Sequence, residues 1–383
     1  MKRILFVIGQ LRIGGVSKAL IELLRNIEGQ YDVSLLCFDH EGKFFDDVPK
    51  SVTVLPTTHL LELTERSAAD MRRIGMQYAF IRYGFSFAAK KVSKRVAAMI
   101  WTRMVGKIEG EYDVAISFTH PMPDSMFCNL GGEFVLHCVH ARKKAVFIHC
   151  DFSSYGGNSA YNRWLLQQFD SIAAVSESVG RKIAQCIPSV EERVVVVRNC
   201  HDFDAIRRMA EDDPIEYAHQ YNFVTVARLS EEKGLLRCIP VFAQLHEQGE
   251  DVSWTIVGGG PQEQQLRTEI SNYGAQGYIA LAGEHRNSYR YIKNADYLLL
   301  PSFHEAAPMV YDEAACLGVP IVTTQLLSAI EMVEKRGIGI VCANSPDGIV
   351  DGIRQAIKNF KTGVQIDISN AEALAGFKKL CEG

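Results

Sequence analysis

The sequence has no cysteines in CxxC spacing, although it carries ten of them scattered from Cys37 to Cys381, mostly inside apolar runs. A disulfide framework or a structural zinc site needs tighter, repeated spacing, so buried free thiols in a reducing cytosol are expected. His137 and His140 could be two metal ligands, but no third follows at useful spacing. No apolar stretch approaches the ~20 residues of a membrane span. Met1-Lys2-Arg3 before Ile4-Leu5-Phe6-Val7-Ile8 has the charge pattern of a signal peptide. The run then breaks at Gly9-Gln10 and meets Arg12, too short for an h-region. A cytoplasmic protein opening with a buried strand is expected instead. GxGxxG is missing too: Gly258-Gly259-Gly260-Pro261 has Glu263 where the third glycine would stand, which argues against a nicotinamide dehydrogenase. A GxSxG elbow and a P-loop lysine motif are likewise absent. The net charge of −4 argues against nucleic-acid binding by bulk electrostatics.

What is present is alternation. Short runs rich in Val, Ile and Leu read as parallel strands buried on both faces. In the first half they are Ile4–Ile8, Val33–Phe38, Val52–Leu55, Val114–Phe118, Ala145–His149, Ser171–Val175 and Val194–Val197. In the second half they are Phe223–Ala227, Ser253–Val257, Tyr278–Ala282, Tyr297–Leu300, Pro320–Thr323 and Gly339–Cys342. Amphipathic segments lie between most of them, the pattern of α/β domains with doubly wound parallel sheets. A single core stops growing near ~250–300 residues, so 383 residues imply two domains. The polar stretch around Asn199–Asp213 marks the joint. The expected organisation is a first domain over 1–200, a second over 201–365, and a C-terminal helix over 366–383 that returns to the first.

Residues 64–107 depart from the average. They hold ten Lys or Arg against two acids, so this segment carries +8 and the remainder −12. Phe85, Val92, Val96 and Met99 recur at helical spacing beside Lys90, Lys91, Lys94 and Arg95. A basic amphipathic helix suits an anionic membrane surface. It also suits a phosphorylated acceptor, or it can be an ordinary solvated helix.

Four constellations carry chemistry. In His304-Glu305-Ala306-Ala307-Pro308-Met309-Val310-Tyr311-Asp312-Glu313, Glu305 follows a strand end, where open α/β sheets bind ligands. Pro308 suits the first turn of a helix, which leaves the N–H groups of Met309 and Val310 ready for an anion. Glu305 and Glu313 thus flank an anion-binding helix start, with carboxylates for sugar hydroxyls. In Arg228-Leu229-Ser230-Glu231-Glu232-Lys233-Gly234, Arg228 and Lys233 at a strand-to-helix turn can converge on one diphosphate. There they offset the charge growing on a leaving group. Gly14 and Gly15, after the first strand, let backbone approach a phosphate. His149, in His149-Cys150-Asp151, lies at another strand end. Asp202-Phe203-Asp204 is a DxD string of the kind that holds a metal-bound nucleotide, but it falls in the linker and reads as helix capping.

Together these residues resemble the retaining GT-B glycosyltransferases, specifically glycosyl transferase group 1 / family 4. The likeness runs through Gly14-Gly15-Val16, His149-x-Asp151, Ala174-Val175-Ser176-Glu177-Ser178 and Val197-Arg198-Asn199. It continues through Ala227-Arg228-Leu229 with Lys233-Gly234, Ile256-Val257-Gly258-x-Gly260-Pro261 and Asn294-Ala295-Asp296. It ends with the Glu-x7-Glu pair Glu305/Glu313 and Leu317-Gly318-x-Pro320-Ile321-Val322. The resemblance implies two Rossmann-like domains facing across a cleft, the first for the acceptor and the second for a nucleotide-sugar, with UDP favoured. It implies that Glu313 holds the ribose, Arg228 and Lys233 the diphosphate, and Glu305 the transferred sugar. Gly15 would approach the phosphate and His149 the sugar, at its 6-hydroxyl. It implies no cofactor and no metal, because positive side chains and helix ends stand in for one. Ala306 departs from the commonest pattern, where many members carry Gly, and narrows the space around the sugar.

The expected function is sugar transfer to a glycan or lipid-linked acceptor in capsule, other surface polysaccharide or glycolipid synthesis. The expected location is the cytoplasm, with peripheral contact on the inner membrane face. An inverting transferase, a nucleotide-sugar 2-epimerase and an inactive GT-B binding module remain alternatives.

Overall fold

The computed structural model describes residues 1–12, 14–359 and 368–382. The chain divides into two compact units. One is formed by Met1–Cys200 with the helix Ala371–Glu382, and the other by His201–Ser369. The expected boundary between 365 and 366 lies outside the described residues.

The first unit is built on a parallel sheet of strands β1 (Arg3–Gln10), β2 (Asp32–Asp39), β3 (Thr53–Val54), β4 (Glu111–Ser117), β5 (His140–Ile148), β6 (Ser171–Ala174) and β7 (Val194–Val196). Their spatial order is β3-β2-β1-β4-β5-β6-β7. Every apolar run read as a strand is one. The runs are unbroken because helices cover both faces: Ile4 to Val7 are all fully buried. Polar residues start the helices. Ser176 caps Glu177–Cys186, and Asp202 in the second unit caps Phe203–Ala210 by accepting from the Ala205 N–H at 2.8 Å. The DxD string is therefore a helix cap. The helix Ala371–Glu382 packs on the first sheet, with Phe377 stacked on Phe6 at 5.9 Å. An added Cβ at Gly376 would lie 2.2 Å from the Val196 carbonyl, so only glycine admits this approach.

The second unit holds β8 (Tyr221–Val226), β9 (Val252–Val257), β10 (Ile279–Gly283), β11 (Tyr297–Leu300), β12 (Ile321–Thr324) and β13 (Gly339–Cys342). All pairings are parallel, in the order β10-β9-β8-β11-β12-β13. Strand order reverses between β8 and β11, the switch point at which such sheets open a ligand crevice at their carboxyl ends.

The basic segment differs from its sequence reading in two respects. Its helix is not continuous: Met76–Ala88 passes through a wide turn, and extended Ser93 caps a separate helix, Lys94–Val105. The register shifts, so Phe85 faces inward and stacks on Phe127 at 4.7 Å. Lys94 is 3% exposed, and its ammonium donates to the Met122 carbonyl at 2.7 Å. Val92, Val96 and Met99 are exposed, as are Met76, Phe80, Tyr83, Phe87, Ile100 and Met104. Among the described residues no helix is long and apolar enough to cross a membrane.

Candidate functional site

In the second unit the two charged motifs leave adjacent central strands, β8 and β11, at the same carboxyl end of the sheet. After β8, Leu229 is buried and anchors the loop, while Arg228 stays exposed. A short turn, Glu231–Lys233, follows, and Gly234 reverses it at φ +64°. A Cβ at Gly234 would stand 2.3 Å from the Pro301 carbonyl, so glycine is required both for the angle and for the approach.

The loop after β11 is fastened to this turn through backbone. The Phe303 N–H donates to the Glu232 carbonyl at 2.8 Å, and the Arg237 guanidinium donates to the Pro301 carbonyl at 2.6 Å. Arg237 also lies over the Phe303 ring at 4.1 Å. Thr324, at the end of β12, donates to the Ser302 carbonyl at 2.7 Å. These bonds bring Lys233 and Glu305 together as an ion pair, with side chains 20% and 13% exposed. The Ser302 hydroxyl donates to the same Glu305 oxygen at 2.9 Å. Burial opposes the charge of Glu232, yet the Ser230 hydroxyl at 2.6 Å, Lys233 and Arg228 hold its carboxyl below the usual range.

The helix Met309–Cys316 starts at Pro308, and its first internal bond runs from the Tyr311 N–H to the Pro308 carbonyl. The N–H groups of Met309 and Val310 precede that bond and have no acceptor within the helix. Their side chains are buried, as is Glu313 on the next turn. Asp312, on the helix's other side, fixes it in place. Burial opposes its charge, but His201, 3.4 Å away, and Arg336, at 2.7 Å, pull its carboxyl down to about 2.

A third loop braces the first. Gly258, after β9, has φ +147°, and a Cβ there would lie 1.9 Å from the Ala227 carbonyl. A Cβ at Gly260 would lie 2.5 Å from the Leu229 carbonyl. The Leu229 N–H donates to the Gly259 carbonyl at 2.9 Å. The glycine string is thus a support for the Arg228 loop.

The first unit carries its own set. Gly14 precedes the helix Gly15–Asn26, whose first turn carries no side-chain cap. An added Cβ at Gly14 or Gly15 would meet nothing within 4 Å, so both stand at open space. His149 follows β5 and packs on Phe118 and Phe147 at 4.7 and 5.5 Å. Burial, with His120 beside it, lowers its pKa to about 3, so it is neutral, and its Nε2 is buried without a hydrogen bond. Asp151 closes a local turn instead, accepting from the N–H and hydroxyl of Ser153 at 2.9 and 2.8 Å. Sequence reasoning missed Ser302 and His120. Ser302 had a local signal, its place beside Glu305; His120 comes beside His149 only in the folded chain.

The profile of the Glycosyl transferases group 1 family matches residues 211–375. The putative colanic acid biosynthesis glycosyltransferase of Escherichia coli K12 is 35% identical over 119 residues, 29% of each chain. The amylovoran biosynthesis glycosyltransferase of Erwinia amylovora is 30% identical over 148 residues, 37% of this chain and 36% of that one. The matched stretches thus span about a third of these relatives. Among solved structures, Anabaena HepE in complex with UDP and glucose aligns with TM-score 0.64 at 17% identity, over 98% of this chain and 95% of that one. Staphylococcus aureus TarM aligns with TM-score 0.69 at 10% identity, over 100% and 99%. These likenesses establish the GT-B fold, two Rossmann-like parallel-sheet units.

Proposed function

We propose that this chain, whose residues 211–375 match the profile of the Glycosyl transferases group 1 family, is a retaining family 4 enzyme that transfers sugar from a UDP-sugar. The observation that carries this reading is the fastening of the Arg228–Lys233 turn to the Glu305–Glu313 loop and helix at the carboxyl end of the sheet. In this reading Arg228 and Lys233 bind the diphosphate, assisted by the N–H groups of Met309 and Val310. Glu313 holds the ribose and Glu305 the transferred sugar; in the first unit, the residues assigned to phosphate and sugar are Gly14, Gly15 and His149. The cations and the helix start offset the charge on the leaving diphosphate, so the reaction runs without a metal. Retention arises from same-face attack, the leaving phosphate oxygen taking the acceptor proton.

UDP is favoured because HepE and TarM have been solved with it. A glycan or lipid-linked acceptor in surface polysaccharide synthesis is favoured by the colanic acid and amylovoran relatives. The protein works in the cytoplasm, against the inner membrane face. Its contact is the exposed apolar row from Met76 to Met104, edged by exposed Lys90, Lys91, Arg95 and Arg103.

The test is turnover of a panel of nucleotide-sugars, followed by NMR at the anomeric position, with and without EDTA. Release of nucleoside diphosphate with the anomeric configuration retained, unaffected by EDTA, is expected. Inversion would point to the other GT-B chemistry, and loss restored by Mn²⁺ or Mg²⁺ would make a metal part of the site.

A further inference from the structure

Asp312 stands inside the glutamate motif, one residue before Glu313, and the glycosyl-transfer reading gives it no part in the donor site. It is tied through both of its oxygens. Arg336 donates to Oδ1 at 2.7 Å, and His201 Nε2 lies 3.4 Å from Oδ2. Each partner is itself anchored. The Arg336 guanidinium also donates to the Met332 carbonyl at 3.3 Å, and the His201 ring, 1% exposed, stacks on Phe203 at 5.3 Å. Phe203 starts the helix Phe203–Ala210, and its carbonyl accepts from the Cys316 thiol at 3.7 Å. Asp312 thus joins the helix Met309–Cys316 to two neighbouring segments of the second unit. Burial opposes its charge, and the two partners keep it ionised.

A helix of eight residues is too short to be stable alone, so its contacts decide how it is turned about its axis. Tyr311 supplies one contact. It is fully buried, and its hydroxyl lies 2.6 Å from Thr323 Oγ1, which donates onward to the Leu300 carbonyl at 3.0 Å. Successive helical residues point about 100° apart. Asp312 is therefore a second anchor, about 100° round from Tyr311, and Glu313 lies about 100° beyond it. Two anchors fix the roll of the helix, whereas Tyr311 alone leaves it a pivot. A roll of about 10° moves a carboxylate ~5–6 Å from the axis by about 1 Å. The N–H groups of Met309 and Val310, within ~2.3 Å of the axis, move less than half as far. A shift of ~1 Å is enough to lose a hydrogen bond. Roll thus acts on what Glu313 reaches and largely spares what the helix start binds.

We propose that Asp312, clasped by Arg336 and His201, is a positioning residue for donor binding: it sets the roll of the helix Met309–Cys316 and so aims Glu313 at the ribose. The proposal rests on the glycosyl-transfer reading and deepens it for the same helix. Asp312 acts through Glu313, since its own oxygens are taken up by its two partners.

The experiment measures, by calorimetry on the full chain, the dissociation constants of UDP and of 2′,3′-dideoxy-UDP, which lacks both ribose hydroxyls. Wild type is expected to favour UDP by about tenfold or more, because hydrogen bonds to a carboxylate are charge-assisted. Glu313→Gln lowers that preference and sets the scale. Asp312→Ala and Arg336→Met lower it about as far, through weaker binding of UDP with dideoxy-UDP unchanged. Arg336→Lys restores most of it, and His201→Phe lowers it less, its contact being the longer. Asp312→Leu/Arg336→Met strands no buried charge; it is expected to show the same loss and carries the test should a single variant fail to fold. Full preference for UDP in the Asp312 and Arg336 variants, whatever their melting temperatures, makes Asp312 structural only and overturns the proposal alone. Tighter binding of both nucleotides by Asp312→Ala also overturns it, since the carboxylate would then act by its charge on the diphosphate. If wild type binds neither nucleotide, or both alike, the donor reading falls first and the proposal with it.

Discussion

Replacing Lys233 with methionine removes the cation beside Glu305 while keeping most of the side chain's bulk. Glu305 would then keep the Ser302 hydroxyl at 2.9 Å as its neighbour in a site only 13% open to solvent. Breaking a fully buried pair costs about 3–5 kcal/mol, and partial exposure reduces this to about 1–2 kcal/mol. A unit of this size shifts its melting temperature by about 2–4 °C per kcal/mol, so Lys233→Met should melt ~3–6 °C lower. Glu305→Gln in the same chain removes the stranded charge, and the double variant should recover about 1 kcal/mol of the loss. Activity should behave differently. If Lys233 holds the leaving diphosphate, turnover falls by ~10²-fold or more in Lys233→Met and stays low in the double variant. Calorimetry and a UDP-release assay on the four proteins of the cycle read both quantities. A single variant as stable as the wild type would refute the ion pair. Turnover restored in the double variant would reduce Lys233 to a neutraliser of Glu305.

Further outcomes follow from the same geometry. Gly258→Ala places a Cβ 1.9 Å from the Ala227 carbonyl at φ +147°; a loss of about 2–4 kcal/mol in thermal melts is expected, with Arg228 displaced and turnover reduced. Glu65 has its pKa raised to about 7 by burial, with the charge of Asp39 adding to the rise, against hydrogen bonds from Thr64 and Asn129 and the charge of Arg82. A raised carboxyl stabilises the fold at low pH, so stability should fall by up to about 3 kcal/mol as pH climbs from ~4.5 through 7, and Glu65→Gln should flatten that slope. His120 and His149, lowered by burial, work in the opposite sense and lose stability as pH drops below ~6.5. Lys90, Lys91, Arg95 and Arg103 to Gln should release the protein from anionic vesicles, as should raised salt, at about 1 kcal/mol per charge. Lys94→Gln should instead lower the melting temperature, and unchanged vesicle binding by the quadruple variant would remove the membrane contact.

Local pattern carried most of the fold. Each apolar run announced a strand because burial on both faces leaves no polar alternation to blur it. β5 starts at His140, earlier than its apolar run, because His140-Ala141-Arg142-Lys143-Lys144 is a half-exposed stretch held by pairing with β4. The site's charged residues were legible from their place after strands. Their partners were not. Lys233 meets Glu305 across 72 residues, and no local spacing encodes that meeting. The helical register that the spacing assumed continuous is reset at the wide turn Ala89–Ser93, so Phe85, before it, and Lys94, after it, face inward while Val92, Val96 and Met99 do not.

The central claim is that the second unit's charged edge holds a nucleoside diphosphate. The direct measurement is the thermal stability of the wild type and of an Arg228→Ala/Lys233→Met variant, titrated with UDP. A ligand at ~100 times its dissociation constant adds about 2.7 kcal/mol to a protein that binds it only when folded. A saturable gain of that size in the wild type, lost in the variant, is the expected result. No gain with any nucleoside diphosphate, or the same gain in both proteins, would contradict the account.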